Sequence, residues 1–105
     1  LCFVLYSFSL DYVMSTTSTD TQQWWVYMVE TVSGKLYTGI TTDPQRRLDE
    51  HQNNPKLGAR FFRSDPANTM VYQELHPDRA SASKREAAIK KLSHKAKLDL
   101  IKSAH

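Results

Sequence analysis

The fold is decided by the stretch WWVYMVETVSGKLYTGITTDPQRRLDEHQ, residues 24–52. Its first part, WWVYMVE, is rich in aromatic and branched side chains and predicts a β-strand. TVSG at 31–34 supplies a turn, and KLYTGIT at 35–41 predicts a second strand. Because the connection between the strands is so short, they are expected to pair as an antiparallel hairpin.

Side chains alternate between the two faces of a strand, so the pattern assigns each hairpin residue to a face. Tyr27 shares its face with the apolar residues Trp25 and Val29. One face of the second strand is too polar for an ordinary core, because it consists of Lys35, Tyr37, Gly39 and Thr41.

A helix is predicted to follow the hairpin, from Pro44 to about Gln52. Asp43 is a favourable N-cap, and a proline suits the first helical turn. The helix is expected to end at NNPKLG, residues 53–58, because two Asn, a Pro and a Gly in six residues are typical of a loop.

The remaining elements complete an α+β pattern. ARFFRS at 59–64 carries no clear signal, whereas TMVYQEL at 69–75 predicts a third strand. Apolar residues at helical spacing predict a helix from about Ser81 and a last helix after a break near Ser93. The order of elements predicts an α+β fold, a three-stranded antiparallel sheet flanked by helices.

Length and composition predict a single globular domain. The chain has 105 residues, of which 40% are hydrophobic and 24% charged. Residues 1–22 are expected to be a disordered or non-native tail, with Met14 as a native start, and residues 23–105 to form the domain. The apolar first ten residues are too short to span a bilayer, and the single Cys2 allows no internal disulfide. A cytoplasmic protein without a membrane partner is therefore expected.

The chain is basic, with a net charge of +3. Its folded part is more basic still, because between Lys56 and Lys102 there are 11 Lys or Arg and 5 Asp or Glu. This excess suits a polyanionic partner that is bound through its phosphates. A solvated basic face remains the alternative, since charge alone does not distinguish the two.

Five positions then point to a family. WVY at 25–27 and YTG at 37–39 resemble the paired tripeptides of the GIY-YIG nuclease superfamily. Arg47 and His51 fall ten and fourteen residues after the tyrosine of the second tripeptide, a spacing that resembles the family's helix. Glu86, in SASKREAAIKKL, matches the family's metal-binding glutamate. Within the superfamily the short stand-alone, UPF0213-like members are the most similar.

The resemblance implies a GIY-YIG-like fold and a metal-dependent nuclease that hydrolyses DNA phosphodiester bonds, with Mg²⁺ or Mn²⁺ as cofactor. A role in DNA repair or processing is expected, with DNA, single-stranded or structured, as the partner. The sequence departs from the family pattern at Trp25, Thr38 and Ile40. Ile40 stands where some members carry a lysine, so one phosphate-directed charge is unaccounted for.

Glu86 is expected to hold the metal ion. It shares a helical stripe with Ala82 and Ile89, and a carboxylate on an inward stripe needs a partner. Mg²⁺, which keeps several waters and accepts one carboxylate plus substrate phosphate, is a fitting partner. The alternative is a capping box, because Ser83 and Glu86 have the required spacing.

The resemblance implies catalytic roles for Tyr37, Tyr27, Arg47 and His51. Tyr37 is expected to activate the attacking water, with Tyr27 orienting it, although both could be ordinary strand aromatics. Arg47, one helical turn before His51, suits a phosphoryl group whose charge grows in the transition state. His51 is expected either to accept a proton from a tyrosine or to orient its phenol.

Three further positions are expected to contact nucleic acid. Gly39 would let a substrate backbone approach the sheet, unless it is a simple bulge. Arg60 and Arg63 flank Phe61 and Phe62. These two rings and Trp24 are expected to stack unpaired bases, although at least one of the two phenylalanines is expected to pack in the core instead. The other function classes left open are a nucleic-acid-binding module with little activity and a protein-interaction domain. A protein partner is one expected source of substrate specificity.

Overall fold

The computed structural model describes residues 22–104, in which three strands and four helices follow one another along the chain. The elements are β1 (Trp24–Thr31), β2 (Leu36–Thr41), α1 (Pro44–Asn53), α2 (Phe61–Ser64), β3 (Ala67–His76), α3 (Arg79–Lys90) and α4 (His94–Ser103). The predicted tail lies outside the described residues, apart from Gln22. Within the described part of the chain, no helix is long and apolar enough to cross a membrane.

The strands form one antiparallel sheet in the order β2-β1-β3, which confirms the predicted fold class. β1 and β2 pair as the expected hairpin, with Tyr27 opposite Gly39 and Val29 opposite Tyr37. The hairpin turns at Gly34, whose φ of 97° is a conformation that residues with a side chain rarely adopt. The register places Tyr27 and Tyr37 on the same face of the sheet.

The sheet is the middle layer, because helices cover both of its faces. On one face α1 and α2 enclose a core that contains Tyr27, Val29, Phe62 and Ala67. On the other face α3 and α4 enclose a core of buried residues, consisting of Val26, Met28, Tyr72, Ala82 and Ile89. The polar face predicted for β2 therefore lies beneath α1 and α2.

Local capping sets where the longer helices begin. The Asp43 side chain accepts from the Arg46 amide at the start of α1, as the sequence predicts. At the start of α3, the Asp78 side chain accepts from the Ser81 amide, so this helix begins at Arg79 and not near Ser81. Ser83 consequently lies inside α3. The capping-box alternative for Glu86 is therefore wrong.

Candidate active site

The site is built around Tyr27, which lies on the central strand and is 1% exposed. Its ring covers Gly39 of the neighbouring strand: a Cβ atom built on Gly39 would lie 2.6 Å from the Tyr27 hydroxyl oxygen. Any side chain at position 39 would therefore displace the phenol. The ring fills the space on this side of Gly39, so the glycine has a packing role, and its contact with a substrate backbone stays a prediction.

His51 of α1 holds the Tyr27 hydroxyl, with 2.7 Å between Tyr27 Oη and His51 Nε2. On the other side of the ring, His51 Nδ1 accepts a hydrogen bond from the Ala59 amide at 3.1 Å. Because Nδ1 is an acceptor, the proton of the neutral imidazole resides on Nε2. His51 thus donates to Tyr27.

The charge state of His51 agrees with this tautomer. Burial, reinforced by the positive charge of Arg47, lowers the pKa of His51 from 6.5 to about 4. The ring is therefore neutral at physiological pH, and it has no lone pair directed at Tyr27. Of the two roles expected for His51, the geometry fits orientation of the phenol and not acceptance of its proton.

Arg47 lies beside the same hydroxyl and is held by two oxygens. Its Nη1 donates to Glu50 Oε1 and to the Leu57 carbonyl, each at 2.8 Å. Its side chain is 27% exposed, whereas that of Arg46 is 55% exposed. Glu50 was not anticipated from the sequence, although its spacing from Arg47 is that of neighbouring side chains on a helix.

Burial raises the pKa of the Tyr27 hydroxyl above its ordinary value, and the nearby Arg47 guanidinium opposes this only in part. Tyr27 therefore stays protonated in the described state. Since His51 occupies its oxygen as a donor, the Tyr27 proton must point away from His51.

Tyr37 stands at the outer side of this arrangement and is half-buried. The centre of its ring lies 5.4 Å from that of His51, 5.0 Å from that of Phe62 and 5.4 Å from that of Phe61. The Tyr27 and Tyr37 ring centres are 6.3 Å apart. Tyr37 is therefore the more exposed of these two tyrosines.

Glu86 projects from α3, on the helix layer opposite to α1. Its side chain is 23% exposed and pairs with Lys90 at 3.1 Å. Burial is the main cause of the raised pKa of Tyr27, and the negative charge of Glu86 makes a smaller contribution. The sheet thus receives functional groups from both helix layers.

The residues present fit only one kind of metal site. Among residues 22–104, no three His, Cys, Asp or Glu side chains are grouped to enclose an ion. A zinc site built by the protein alone is therefore not supported by this part of the chain. A single carboxylate suits Mg²⁺ or Mn²⁺, which retain waters and share phosphate oxygens of a substrate.

The expected stacking residues are divided between the two faces. Phe61 is 40% exposed beside Tyr37, whereas Phe62 is 6% exposed and belongs to the core, as expected for at least one of the pair. Trp24 packs on the α3 and α4 side, with Arg79 5.3 Å above its ring, so it lies on the other side of the sheet from Phe62, and its stacking on bases stays a prediction. Arg60 and Arg63 are exposed next to Phe61.

Comparison with known proteins points to one family. The family model described as the GIY-YIG catalytic domain matches residues 23–99. A UPF0213 protein of Desulfotalea psychrophila is 49% identical over 86 residues, which cover 82% of this chain and 77% of that protein. A UPF0213 protein of Pseudomonas aeruginosa is 47% identical over 78 residues, covering 74% and 73%.

The solution NMR structure of a UPF0213 protein from Bacillus halodurans is also similar. It is 32% identical, with 76% of this chain and 83% of that chain covered and a TM-score of 0.48.

Proposed function

This chain belongs to the GIY-YIG family, and from that membership we propose that it is a metal-dependent nuclease that hydrolyses DNA phosphodiester bonds in DNA repair or processing. The observation that carries the proposal is the arrangement of His51 and Arg47 around the Tyr27 hydroxyl, directly behind the accessible Tyr37. A buried phenol held by a histidine donor, with a guanidinium beside it, is more elaborate than sheet packing requires.

Tyr37 activates the attacking water. It is half-buried and can meet solvent, while Tyr27 is almost fully enclosed. A tyrosine that takes a proton from water must act through its phenolate form, and nearby positive charge favours that role. Arg47 supplies that charge, a metal ion held by Glu86 would add to it, and Tyr27 orients the groups around Tyr37.

Arg47 stabilises the phosphoryl group as negative charge grows on its oxygens. Its planar guanidinium presents several donors, of which Nη1 is bound to Glu50 and to the Leu57 carbonyl. These two acceptors hold the guanidinium in place before the substrate arrives. Preorganised donors of this kind stabilise a transition state without a further cost of reorientation.

Glu86 would hold a hard divalent ion, Mg²⁺ or Mn²⁺, and that ion would neutralise charge on the phosphate and assist the leaving oxygen. The carboxylate must exchange its contact with Lys90 for the ion. This exchange is inexpensive, because a surface pair at i and i+4 typically contributes only about 0.3 to 0.5 kcal/mol. The products expected from the family resemblance carry 5′-phosphate and 3′-hydroxyl ends.

DNA is held mainly through its backbone. Arg60 immediately precedes α2 and Arg63 lies on it. Both are next to the exposed Phe61, whose ring is close to that of Tyr37. Cations that flank an exposed aromatic ring suit single-stranded or locally unpaired DNA, since a base can stack while phosphates are neutralised. A preference for one DNA structure, or a protein partner, then supplies specificity.

The second candidate function is a nucleic-acid-binding module of the same fold with little activity. Two observations favour it. The first is that both key charges are already paired, Arg47 with Glu50 and Glu86 with Lys90. In addition, Ile40 offers no charge to a phosphate.

A panel of single-stranded, duplex, flap and branched DNA separates these functions. Each substrate is incubated with the protein in Mg²⁺, Mn²⁺ or EDTA, and both binding and cleavage are measured. Metal-dependent cleavage of at least one substrate is expected. Binding without cleavage of any substrate favours the binding module. If no DNA binds even at low salt, the result favours a protein-interaction domain whose basic face meets a protein partner.

A further inference from the structure

A hydrogen-bonded network links β3 to α3 on the sheet face opposite Tyr27. We call it the Glu74 network; its members are Tyr72, Glu74, His76, Ser81 and Arg85. Glu74 accepts from Tyr72 Oη at 2.5 Å and from Arg85 Nε at 3.1 Å, and it lies 2.7 Å from His76 Nε2. His76 Nδ1 is in turn 2.6 Å from Ser81 Oγ.

Glu74 is charged at the centre of this network. Burial opposes ionisation, but the hydrogen bonds from Tyr72, His76 and Arg85 prevail and lower the pKa of Glu74. Partly buried ion pairs contribute little net stability, because desolvation offsets much of the attraction. A role in fixing geometry therefore explains the network better than a role in stability alone.

The buried apolar side chains of α3 do not by themselves fix the rotation of this helix about its own axis. Only Ala82 and Ile89 of this helix are buried, and the first is a single methyl group. Ser81 and Arg85, one turn apart, bind β3 along one flank. Glu86 follows Arg85 by one residue, about 100° around the helix axis, so the network sets the direction in which Glu86 projects.

A small rotation would matter at Glu86. Side chains reach about 5 to 6 Å from a helix axis, so a turn of roughly 20° displaces a carboxylate by about 2 Å. Metal–oxygen distances are defined to within about 0.2 Å. Loss of the network can therefore misplace the carboxylate by several times that tolerance without unfolding the helix.

We propose that Glu74 is a positioning residue for Glu86: through Arg85 and the His76–Ser81 contact it holds α3 at the rotation that presents Glu86 to the metal ion and Tyr37. This inference rests on the proposed function. It assigns a task in metal binding to the Glu74 network, whose strand residues lie on the opposite face of the sheet from Tyr27 and Tyr37.

The test measures Mn²⁺ binding to the full protein by electron paramagnetic resonance, beside the free energy of unfolding in the absence of metal. Glu74→Gln keeps the shape of the side chain and removes its charge. It is expected to weaken Mn²⁺ binding by about tenfold or more, and the same loss should appear in Arg85→Gln and in the double variant, because one network is broken in each.

Two further variants keep the test decisive. Asp99→Asn breaks the exposed pair of Asp99 with Lys95 on α4 and should leave Mn²⁺ affinity unchanged. Tyr72→Phe removes a single donor hydroxyl, so it perturbs the fold less than Glu74→Gln and replaces it in the test if Glu74→Gln does not fold. It should weaken Mn²⁺ binding by a smaller factor. Saturating Mg²⁺ should restore cleavage by the folded variants, which a purely structural defect would not allow.

Suppose that wild type binds Mn²⁺ and Glu86→Gln does not. Unchanged Mn²⁺ affinity in Glu74→Gln and Tyr72→Phe then overturns the positioning role and leaves the metal role of Glu86 intact. If wild type and Glu86→Gln bind Mn²⁺ equally, the metal role of Glu86 fails, and the positioning role fails with it.

Discussion

The Tyr27 hydroxyl oxygen lies 2.7 Å from Nε2 of His51, while Nδ1 of the same ring accepts from the Ala59 amide at 3.1 Å. A backbone amide of the loop after α1 thus selects the histidine tautomer, and the tautomer makes His51 a donor to the phenol. The orientation of Tyr27 therefore depends on where that loop folds back onto α1.

The first prediction concerns pH. The pKa of His51 is lowered from 6.5 to about 4 in the folded protein by burial and Arg47, so the unfolded chain binds the proton more tightly. His51 contributes its full stability above about pH 6.5, and this contribution is lost as pH falls towards 4. In urea denaturation between pH 7 and pH 4, His51→Gln should show a shallower fall in unfolding free energy than wild type. Parallel curves would contradict the buried neutral histidine.

The second prediction separates the tyrosines. Tyr37→Phe should reduce single-turnover cleavage by about 10²- to 10⁴-fold, the usual contribution of a general base. Tyr27→Phe should reduce it less, but should destabilise the fold by about 1 to 3 kcal/mol because the His51 donor loses its acceptor. DNA affinity should be unchanged in both. A more severe loss of cleavage in Tyr27→Phe would show that the roles are reversed.

The third prediction tests the packing role of Gly39. Gly39→Ala places a methyl group 2.6 Å from the Tyr27 hydroxyl oxygen, which forces the phenol away from His51. Cleavage and thermal stability should both fall, whereas DNA affinity should remain near that of wild type. If Gly39→Ala weakens DNA binding but keeps its stability, the substrate does approach this strand.

The fourth prediction concerns the basic face near Tyr37. Neutralising Arg60 and Arg63 together should weaken DNA binding and reduce the slope of log affinity against log salt by about 1.4 to 1.8, since each phosphate contact contributes about 0.7 to 0.9. The matched control replaces Lys95 and Lys102 on α4, beyond the opposite face of the sheet. An equal change in the control would move the DNA-binding surface to α4.

Local signals in the sequence predicted the elements well. The hairpin follows from strand composition and a short turn, and the start of α1 from Asp43 and Pro44. α3 begins earlier than predicted because Asp78, and not a residue near Ser81, caps it. Capping competes between neighbouring polar residues, and apolar spacing alone does not decide between them.

The contacts that define the site are tertiary and were harder to predict from the sequence. The Ala59 amide meets His51 only because the loop packs tightly on α1: a Cβ atom on Gly58 would lie 2.7 Å from the Glu50 carbonyl. No spacing rule reveals such a contact. Tyr72, Glu74 and His76 do show the two-residue period of one strand face, but their pairing with Ser81 and Arg85 depends on the helix that covers them.

The central claim is that Glu86 holds the metal ion of a DNA nuclease, and single-turnover cleavage by wild type and Glu86→Gln tests it most directly. The substrate is the best of the DNA panel, with Mg²⁺ or EDTA, and binding is measured in parallel. Wild type should cleave with Mg²⁺ and not with EDTA, and Glu86→Gln should bind DNA equally but cleave at least about 10²-fold more slowly. Wild-type rates in Glu86→Gln, or cleavage that persists in EDTA, would contradict the account.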